Sequence, residues 1–317
     1  MIFPMDIEIT LLAPIVLFVY NRPEHTRKAI ESLQQNDLAG DSDLFIYSDA
    51  AKNELAGPAV QQVREYLKTI SGFKSVTVVE RSRNWGLARS IIDGASTLSS
   101  QFGRVIVLED DLVTSRHFLR FMNEALTLYA DDDRVISIHG YVSPVKGPLP
   151  ETFFLRGADC WGWATWQRGW NEFQPDSAQL LAELTRRKLT GTFDYDGAYP
   201  HTNMLKMQMT GRVDSWAIRW HASAFLKDKL TLYPGKSLVA NIGNDSSGTH
   251  CGATDMFSGE ISSDRLHVGD IAVQESQVGR AAMRDFYSAH KISLFRRIVR
   301  KLGTLYRKSV ISLGFAG

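Results

Sequence analysis

Three carboxylate side chains stand together in the stretch VIVLEDDLVT, residues 105–114. Glu109, Asp110 and Asp111 follow an apolar run that is typical of a buried strand. A carboxylate in such a place is costly unless a cation or water compensates it. Carboxylate oxygens are hard ligands that suit Mg²⁺ or Mn²⁺, and these metals usually accompany phosphate groups. The cluster therefore predicts a site for a divalent metal and a phosphate-bearing ligand, in preference to a solvated turn.

Two other acidic stretches lie in sequence contexts that are less typical of a metal site. ADDDR, residues 130–134, follows the helix-like HFLRFMNEALTLYA and predicts an exposed helix end. FDYDG, residues 193–197, has aspartates at alternate positions but no strand before it, which indicates a loop. A place directly after a hydrophobic strand is what distinguishes residues 109–111.

The elements that must position this cluster form a regular alternation in the first half of the chain. Strand-like and helix-like runs alternate at residues 14–20, 22–35, 43–49, 57–70, 75–81, 86–101 and 104–110. This alternation with short connections predicts an α/β fold with a mostly parallel sheet flanked by helices. Ligands of such sheets bind beyond the carboxyl ends of the strands. Arg22, Asp49, Asn84 and residues 109–111 each follow a strand and should converge there.

Bulk properties exclude several other classes of protein. The chain has 317 residues, 44% of them hydrophobic, which suits one large or two small globular domains. A net charge of +1 does not suggest a nucleic-acid binder. Cys160 and Cys251 are too few for a disulfide framework and predict reduced thiols. ITLLAPIVLFVY, residues 9–20, lacks a preceding basic residue and is interrupted by Pro14, so neither a signal peptide nor a membrane span is predicted.

Several segments, taken in order, resemble the GT-A glycosyltransferases. They are PIVLFVYNRPEHTRKAIESL, FIYSDAAKNE, NWGLARSIIDG, VIVLEDDL followed by FLRFMNEAL, RVDSW and GTHCG. The likeness spans roughly residues 13–255, to the N-acetylglucosaminyltransferase I type and more broadly to family-two-like bacterial sugar transferases. It implies a metal-dependent inverting glycosyltransferase with Mn²⁺ or Mg²⁺. The donor would be a nucleotide-sugar, UDP-linked, and the acceptor a hydroxyl of a glycan or lipid-linked saccharide.

The same resemblance implies how the chain is organised. Residues 1–135 would form the nucleotide-sugar-binding half of a Rossmann-like GT-A domain, and residues 136–260 its acceptor-binding half. Residues 261–317 would form an extension that carries a basic amphipathic helix.

The resemblance assigns the acidic cluster to the metal and the donor. Asp111 would touch the metal directly, and Asp110 would bind the ribose or a metal-bound water. Glu109 would act nearby, on the sugar side. His250, in the glycine-rich SSGTHCG, would complete the metal shell or donate to a phosphate from a loop that closes over the nucleotide.

Three further residues are expected to bind the nucleotide. Asp49 resembles the aspartate that accepts a hydrogen bond from the base of a uridine nucleotide, and a turn aspartate is the alternative. Arg22 resembles the basic residue that follows the first strand near a phosphate, with a surface ion pair as the alternative. Arg89 lies early in a helix, where it could face phosphate or solvent equally well.

An inverting transfer needs a carboxylate that takes the proton of the acceptor hydroxyl. Asp214 in GRVDSWAIRW is the first candidate, because its neighbours Val213 and Trp216 predict an apolar setting that would raise its pKa. A helix N-cap at Asp214 is compatible with that role. Asp159, in RGADCWGW, is the second candidate.

Four tryptophans lie within CWGWATWQRGW, residues 160–170. Aromatic faces suit sugar rings, although core packing is expected to claim at least two of the four. The resemblance implies that Trp161, Gly162 and Trp163 lie nearest the sugar.

Residues 291–313 combine an apolar face with many basic residues and no acidic ones. This composition predicts an interfacial helix on an anionic membrane surface, and a helix docked on the body is the alternative. Membrane-surface binding would place the protein in the cytoplasm, on the inner face of the membrane, beside a lipid-linked acceptor.

Two rival functions share parts of this pattern. A nucleotidyltransferase of sugar phosphates usually has a glycine-rich loop with Arg or Lys after the first strand, which VYNRPEHT lacks. A catalytically inactive sugar-binding scaffold would keep the fold and the tryptophans but lose the base.

Overall fold

The computed structural model describes residues 7–245 and 255–291. The predicted basic helix at residues 291–313 lies outside the described residues except for Lys291. Helical backbone is present at 277–291, directly before it.

The seven elements predicted for the first half are confirmed. They are β1 (Ile15–Val19), α1 (Pro23–Gln34), β2 (Asp43–Ser48), α2 (Gly57–Leu67), β3 (Ser75–Glu80), α3 (Leu87–Phe102) and β4 (Arg104–Glu109). Proline near the start of α1 and of α2 suits the first turn of a helix, where the missing N–H has no partner to lose.

The second half is less regular and adds helices and strands to the same body. They are β5 (Leu112–Thr114), α4 (Phe118–Leu128), β6 (Val135–His139), β7 (Thr152–Arg156), β8 (Trp163–Trp166), α5 (Gln167–Trp170), α6 (Ser177–Arg186), α7 (Thr190–Phe193), α8 (His201–Met209), α9 (Trp216–Leu226), β9 (Leu230–Pro234) and β10 (Val239–Asn241). The acidic run at 131–133 directly follows α4, as predicted.

Eight strands form the central sheet, in the order β3-β2-β1-β4-β8-β6-β9-β7. Neighbours from β3 to β4 are parallel, β8 is antiparallel to both of its neighbours, and β7 is antiparallel to β9. The predicted α/β fold with a mostly parallel sheet is therefore confirmed. Strand order reverses between β1 and β4, because β2 and β3 lie on one side of β1 and β4 lies on the other. Ligands of open α/β sheets bind at such a reversal.

Strand β1 shows why the sheet is buried on both faces. Ile15, Leu17 and Val19 pack into the cluster that contains side chains of α1, α2 and α4. Val16 and Phe18 pack with side chains of α3, α5 and α9 on the other face. A strand covered on both faces needs a continuous apolar run, and this is the pattern that the sequence shows.

A small second sheet brings the chain back over the end of β4. Strands β10 and β5 pair in antiparallel register, with Asn241 opposite Leu112, and the Ile242 N–H donates to the Asp111 carbonyl oxygen at 2.8 Å. Residues 241–245 therefore lie beside the acidic cluster.

Within residues 7–245 and 255–291, no helix is both long enough and apolar enough to cross a membrane.

Candidate active site

A guanidinium compensates the acidic cluster at the end of β4. Arg22 Nη2 donates to Asp110 Oδ1 and, at 2.9 Å, to Asp111 Oδ2. The Arg22 side chain is 17% exposed and the Asp110 side chain 6%, so this ion pair is largely desolvated. The sequence placed Arg22 and the aspartates at one edge, and the structure joins them. We call Arg22, Glu109, Asp110 and Asp111 the acidic edge.

Burial and mutual repulsion govern protonation at the acidic edge. Burial and the neighbouring charges of Asp111 and Asp110 raise the pKa of Glu109 well above its ordinary value. Burial also raises the pKa of Asp110, and the Arg22 guanidinium opposes that rise. For Arg22, desolvation is outweighed by the two aspartates together, and its pKa is raised. One fixed cation thus faces three acidic side chains.

The acidic edge retains capacity for a divalent cation. Among the described residues, Asp110 Oδ2 is buried and has no hydrogen-bond partner. A buried carboxylate oxygen without a donor is suited to a ligand cation. No group of three or more His, Cys, Asp or Glu in the described part of the chain is arranged to hold a metal by itself. Asp110 and Asp111 therefore fit a metal whose remaining ligands come from the substrate or water.

Gly243 packs directly against the acidic edge. A Cβ atom at this position would lie 2.2 Å from Asp111 Oδ2 and 2.9 Å from Arg22 Nη1. Both distances are too short for a real side chain, so glycine is required for the chain to cover the ion pair. Sequence reasoning missed this residue, because nothing local distinguishes it from other loop glycines.

Asp49 holds a loop through backbone donors. Its carboxylate accepts from the N–H groups of Ala50 and Trp85 at 2.9 Å on Oδ1, and from that of Gly86 at 2.9 Å on Oδ2. Asn84 Nδ2 donates to the Ala50 carbonyl at 2.7 Å and closes the same loop. The Asp49 carboxylate therefore holds in place the residues that lead into α3.

Arg89 lies on an exposed part of α3 and stacks on an indole. Its guanidinium carbon lies 4.1 Å from the centre of the Trp85 ring, and that of Arg81 lies 3.8 Å from the same ring. Two cations on one indole form cation–π contacts. Arg89 is thus held beside the Asp49 loop through Trp85.

A cavity of about 590 Å³ opens next to the acidic edge. Glu109 lines it at one end and Asp159 lines it too. Cys160 lines the cavity as well, and burial, with the charges of Asp159, Glu109 and Asp111, raises the pKa of its thiol. Aromatic and sulfur-bearing side chains supply much of the remaining wall: Tyr141, Trp161, Tyr195, Tyr199, Met204, Met207, Trp216, Tyr233, Phe257, Met283 and Tyr287.

Asp159 lies in this cavity among neutral partners. Its Oδ1 accepts from the Cys160 N–H at 2.8 Å, and its Oδ2 accepts from the Tyr233 hydroxyl at 3.4 Å. Burial disfavours the ionised form of Asp159, and the hydrogen bond from the Cys160 N–H favours that form; the imidazoles of His139 and His221 lower the pKa of Asp159 only when they are protonated. Asp159 is therefore a carboxylate held by neutral donors inside the cavity.

Three histidines surround the Asp159 region and are held in neutral form. Burial lowers the pKa of His139 and of His221, and it lowers that of His201 to about 3. His221 Nδ1 donates to the Ala158 carbonyl at 2.7 Å. His139 Nε2 accepts from the Trp161 N–H at 3.1 Å. The sequence contained no signal for this cluster, since the histidines are far apart in the chain and only the sheet and α8–α9 bring them together.

Asp214 also lines the cavity, but the apolar setting expected for it is not found. Its side chain is 70% exposed, and Oδ1 accepts from Arg219 Nη2 at 3.1 Å. The N-cap of α9 is Ser215, whose hydroxyl accepts from the Ile218 N–H at 3.3 Å, so the prediction of a cap at Asp214 was wrong by one residue.

The tryptophan segment divides between cavity and core. Trp161 lines the cavity and packs edge-on against Tyr141, with ring centres 4.7 Å apart. Trp163 is 1% exposed and stacks on Trp216 in the core, so it lies away from the cavity surface.

Gly162 has a left-handed backbone with φ of +65°, and a Cβ there would lie 2.8 Å from a Val239 methyl group. Trp166 and Trp170 are core residues, as expected for at least two of the four.

One predicted metal residue, His250, lies outside the described residues, as does Cys251.

The half of the chain that contains β1–β4 is similar to a known protein family. Residues 15–172 match the model of Glycosyl transferase family 2. No curated protein matches the sequence.

Three solved structures are similar at low identity. The mannosyltransferase PcManGT from Pyrobaculum calidifontis, in complex with GDP-Man and Mn²⁺, is 17% identical over 45% of this chain and 39% of that one, with a TM-score of 0.32. S. aureus TarS is 13% identical over 47% and 25%, with a TM-score of 0.31. Its 1–349 form is 10% identical over 72% and 60%, with a TM-score of 0.38.

The chain spans less than two thirds of the length of each of these structures, and TM-scores this low carry no inference about its site. The family match rests on sequence, and it covers β1–β4 with the acidic edge and continues through α5. Residues 15–172 form a glycosyl transferase family 2 domain.

Proposed function

We propose that this protein is a metal-dependent inverting glycosyltransferase that moves a sugar from a nucleotide-sugar to a hydroxyl acceptor. One observation carries the proposal: a cavity runs beside the acidic edge and contains a second carboxylate region around Asp159. Direct transfer to a hydroxyl needs a site for the leaving diphosphate at one end and a proton acceptor near the other. The two carboxylate regions supply these two requirements.

The donor diphosphate is assigned to the acidic edge. Asp110 and Asp111 would hold Mn²⁺ or Mg²⁺, and the metal when bound supplies positive charge to the leaving diphosphate. Arg22 holds the two aspartates in position, since its guanidinium bridges both of them, and it opposes the rise in the pKa of Asp110. Glu109 lies between the aspartates and the cavity, where it faces the transferred sugar.

For the base, the surroundings favour Asp159 over Asp214. A general base must be ionised and must reach the acceptor hydroxyl without a competing cation. Asp214 is largely exposed and paired with Arg219. Asp159 accepts only from neutral donors in the hydrogen bonds of the described chain. We therefore assign the base to Asp159 and leave Asp214 as the alternative that mutation must exclude.

The finer identity of the substrates is also part of the proposal. The donor is taken to be UDP-linked and the transferred group a hexosyl or N-acetylhexosaminyl unit, from the likeness to the N-acetylglucosaminyltransferase I type. Asp49, with Arg89 nearby, would contact the nucleotide, and His250 the metal or a phosphate. The acceptor is a glycan or lipid-linked saccharide, which the basic segment 291–313 would approach at an anionic membrane surface on the cytoplasmic side.

Thermal unfolding with nucleotides tests the donor assignment. The midpoint is measured with UDP, GDP, CDP and CMP, each with and without Mn²⁺, because a ligand of the folded state raises it by mass action. We expect a rise with UDP that requires Mn²⁺ and disappears in Asp111→Asn. Asp133→Asn, in the exposed run after α4, is the matched control and should keep the rise.

Other outcomes separate the rivals. A metal-dependent rise in the midpoint with a nucleotide other than UDP would support a glycosyltransferase that uses a different nucleotide-sugar donor. UTP and GTP are measured in the same way, and a rise in the midpoint with a triphosphate but with no diphosphate supports a nucleotidyltransferase. If no nucleotide raises the midpoint, the metal-phosphate role of the acidic edge is refuted and a sugar-binding scaffold takes its place.

A further inference from the structure

Acidic side chains, and no lysine or arginine side chains, line the described part of the cavity beside the acidic edge. Among the described residues that line it, Glu109, Asp159 and Asp214 carry carboxylates, and none is lysine or arginine. A site that binds a phosphate or a carboxylate usually presents arginine, lysine or a cluster of N–H donors to it. The part of the wall built from residues 7–245 and 255–291 therefore lacks the side chains that would recognise an anionic acceptor.

Nearby cations are engaged elsewhere. Arg22 bridges Asp110 and Asp111, Arg219 donates to Asp214 at 3.1 Å, and Arg280 lies 3.2 Å from Asp196. The imidazoles of His201 and His221, which line the cavity, have lowered pKa values because they are buried, so they add no charge at neutral pH. A carboxylate or phosphate entering the cavity would meet Asp159 without compensation.

The uncharged part of the wall suits a sugar ring. Trp161 and Tyr141 meet edge-on at 4.7 Å, and Tyr233 packs on His139 at 4.9 Å. Aromatic faces contact the C–H faces of sugars, while tyrosine hydroxyls and imidazoles supply hydrogen bonds for the hydroxyl groups. Met204 and Met207 on α8 complete one side with flexible apolar groups.

We propose that the acceptor site takes an uncharged saccharide, and that it excludes sugars carrying a carboxylate or a phosphate on the ring that enters the cavity. This inference rests on the proposed function and names the acceptor class for the same site. It also constrains a lipid-linked acceptor: its phosphate groups must remain outside the cavity.

Matched pairs of simple glycosides test the proposal. Methyl glucoside is compared with methyl glucuronide, and methyl galactoside with methyl galacturonide, because each pair differs only at C6. Binding to the full chain is measured by saturation-transfer NMR, with and without UDP and Mn²⁺. We expect at least one neutral member to bind, and its uronide to bind at least about tenfold more weakly, because like charges are brought together.

A charge introduced into the wall provides the converse test. Met207→Lys places an ammonium group in the cavity, and it should reduce the preference for the neutral member or reverse it. Met209→Lys is the control, because Met209 lies on the same helix, is 50% exposed and does not line the cavity. Midpoints of thermal unfolding establish that both variants are folded.

Two results would overturn the inference. One is a uronide that binds as tightly as its neutral partner, and the other is a full panel in which no glycoside binds. The nucleotide-dependent rise in midpoint is measured separately and depends on Asp111, so it distinguishes failure of the acceptor class from failure of the transferase. If that rise persists while the pairs fail, only the acceptor class is lost.

Discussion

The acidic edge and the Asp159 region hold buried carboxylates in two different ways. At the acidic edge a guanidinium contacts two aspartates directly. Around Asp159, the donors found among the described residues are a backbone N–H and a tyrosine hydroxyl. The first arrangement fixes charge in place, and the second leaves a carboxylate that can accept a proton without first breaking an ion pair.

This difference indicates that the acidic edge and the neighbouring cavity can serve two separate requirements of a transfer reaction. Cationic groups belong where negative charge leaves, and they would hinder the side where a proton must be taken up. The predictions below test that division, in order of decreasing expected effect.

The largest effect is expected at the proposed base. Asp159→Asn should lower turnover by about 10²–10⁴-fold, the usual contribution of a general base, because an amide cannot take the proton. Asp214→Asn should change turnover by less than about tenfold, since Asp214 is exposed and paired. The measurement is kcat with an acceptor, alongside the nucleotide-dependent midpoint, which both variants should keep. The opposite ranking would make Asp214 the base and abolish the contrast between the two regions.

At the acidic edge, removal of the cation should affect stability. Arg22→Ala leaves Asp110 buried without its partner, and the free energy of unfolding should fall by about 3 kcal/mol. Denaturant unfolding measures the loss. Arg22→Ala combined with Asp110→Asn should recover part of it, because the uncompensated charge is gone. Arg27→Ala, at an exposed pair with Glu24 on α1, is the control and should have no measurable effect. Equal losses of unfolding free energy for Arg22→Ala and Arg27→Ala would mean that the buried ion pair contributes no more stability than the exposed one.

A smaller loss is expected where the chain covers the ion pair. Gly243→Ala forces the chain away from Asp111 and Arg22, and we expect a cost of about 1–3 kcal/mol, as for other overpacked sites, together with weaker nucleotide binding. Gly191→Ala is the matched control, because a Cβ there meets nothing within 4 Å. Unchanged nucleotide binding in a folded Gly243→Ala variant would contradict the assigned donor position.

The Asp159 region should respond to pH. His139, His201 and His221 have pKa values lowered by burial, so the unfolded chain binds more protons than the folded one below about pH 6.5. The stability that these histidines contribute is present above that pH and is lost as pH falls; for His201 the loss approaches about 1.4 kcal/mol per pH unit, down to about pH 3.

The measurement is the free energy of unfolding between pH 7 and pH 4. His201→Gln should show a shallower dependence, because one titrating group is removed. Glu109 and Asp110, whose pKa values are raised, contribute with the opposite sign, so the comparison with His201→Gln decides: an equal pH dependence in the two chains would contradict the neutral burial of His201.

Much of the first half of the fold was predictable from local pattern. Ile15–Val19 and Arg104–Glu109 are apolar runs that end in polar residues, and the intervening amphipathic stretches have helical spacing. Parallel strands place their carboxyl ends together, so Arg22 and Asp110 had to approach one another once β1 and β4 were neighbours. Phe18 of β1 lies opposite Glu109 of β4 in the sheet, so the residues that follow the two strands, Arg22 and Asp110 among them, lie close together.

The α/β alternation, the buried strands and the edge where the carboxylates gather are predictable from the amino-acid sequence, because they depend on periodicity and on strand direction. The folded chain was needed to show that Trp163 is a core residue and Trp161 a cavity residue, that Asp214 is exposed, and that Asp159 is buried among histidines from distant elements. Those outcomes depend on the packing of β6 and β8 against α9 and of α8 against α9. Contacts between residues so far apart in the chain have no local signal, since burial is a property of the assembled surfaces and not of any one segment.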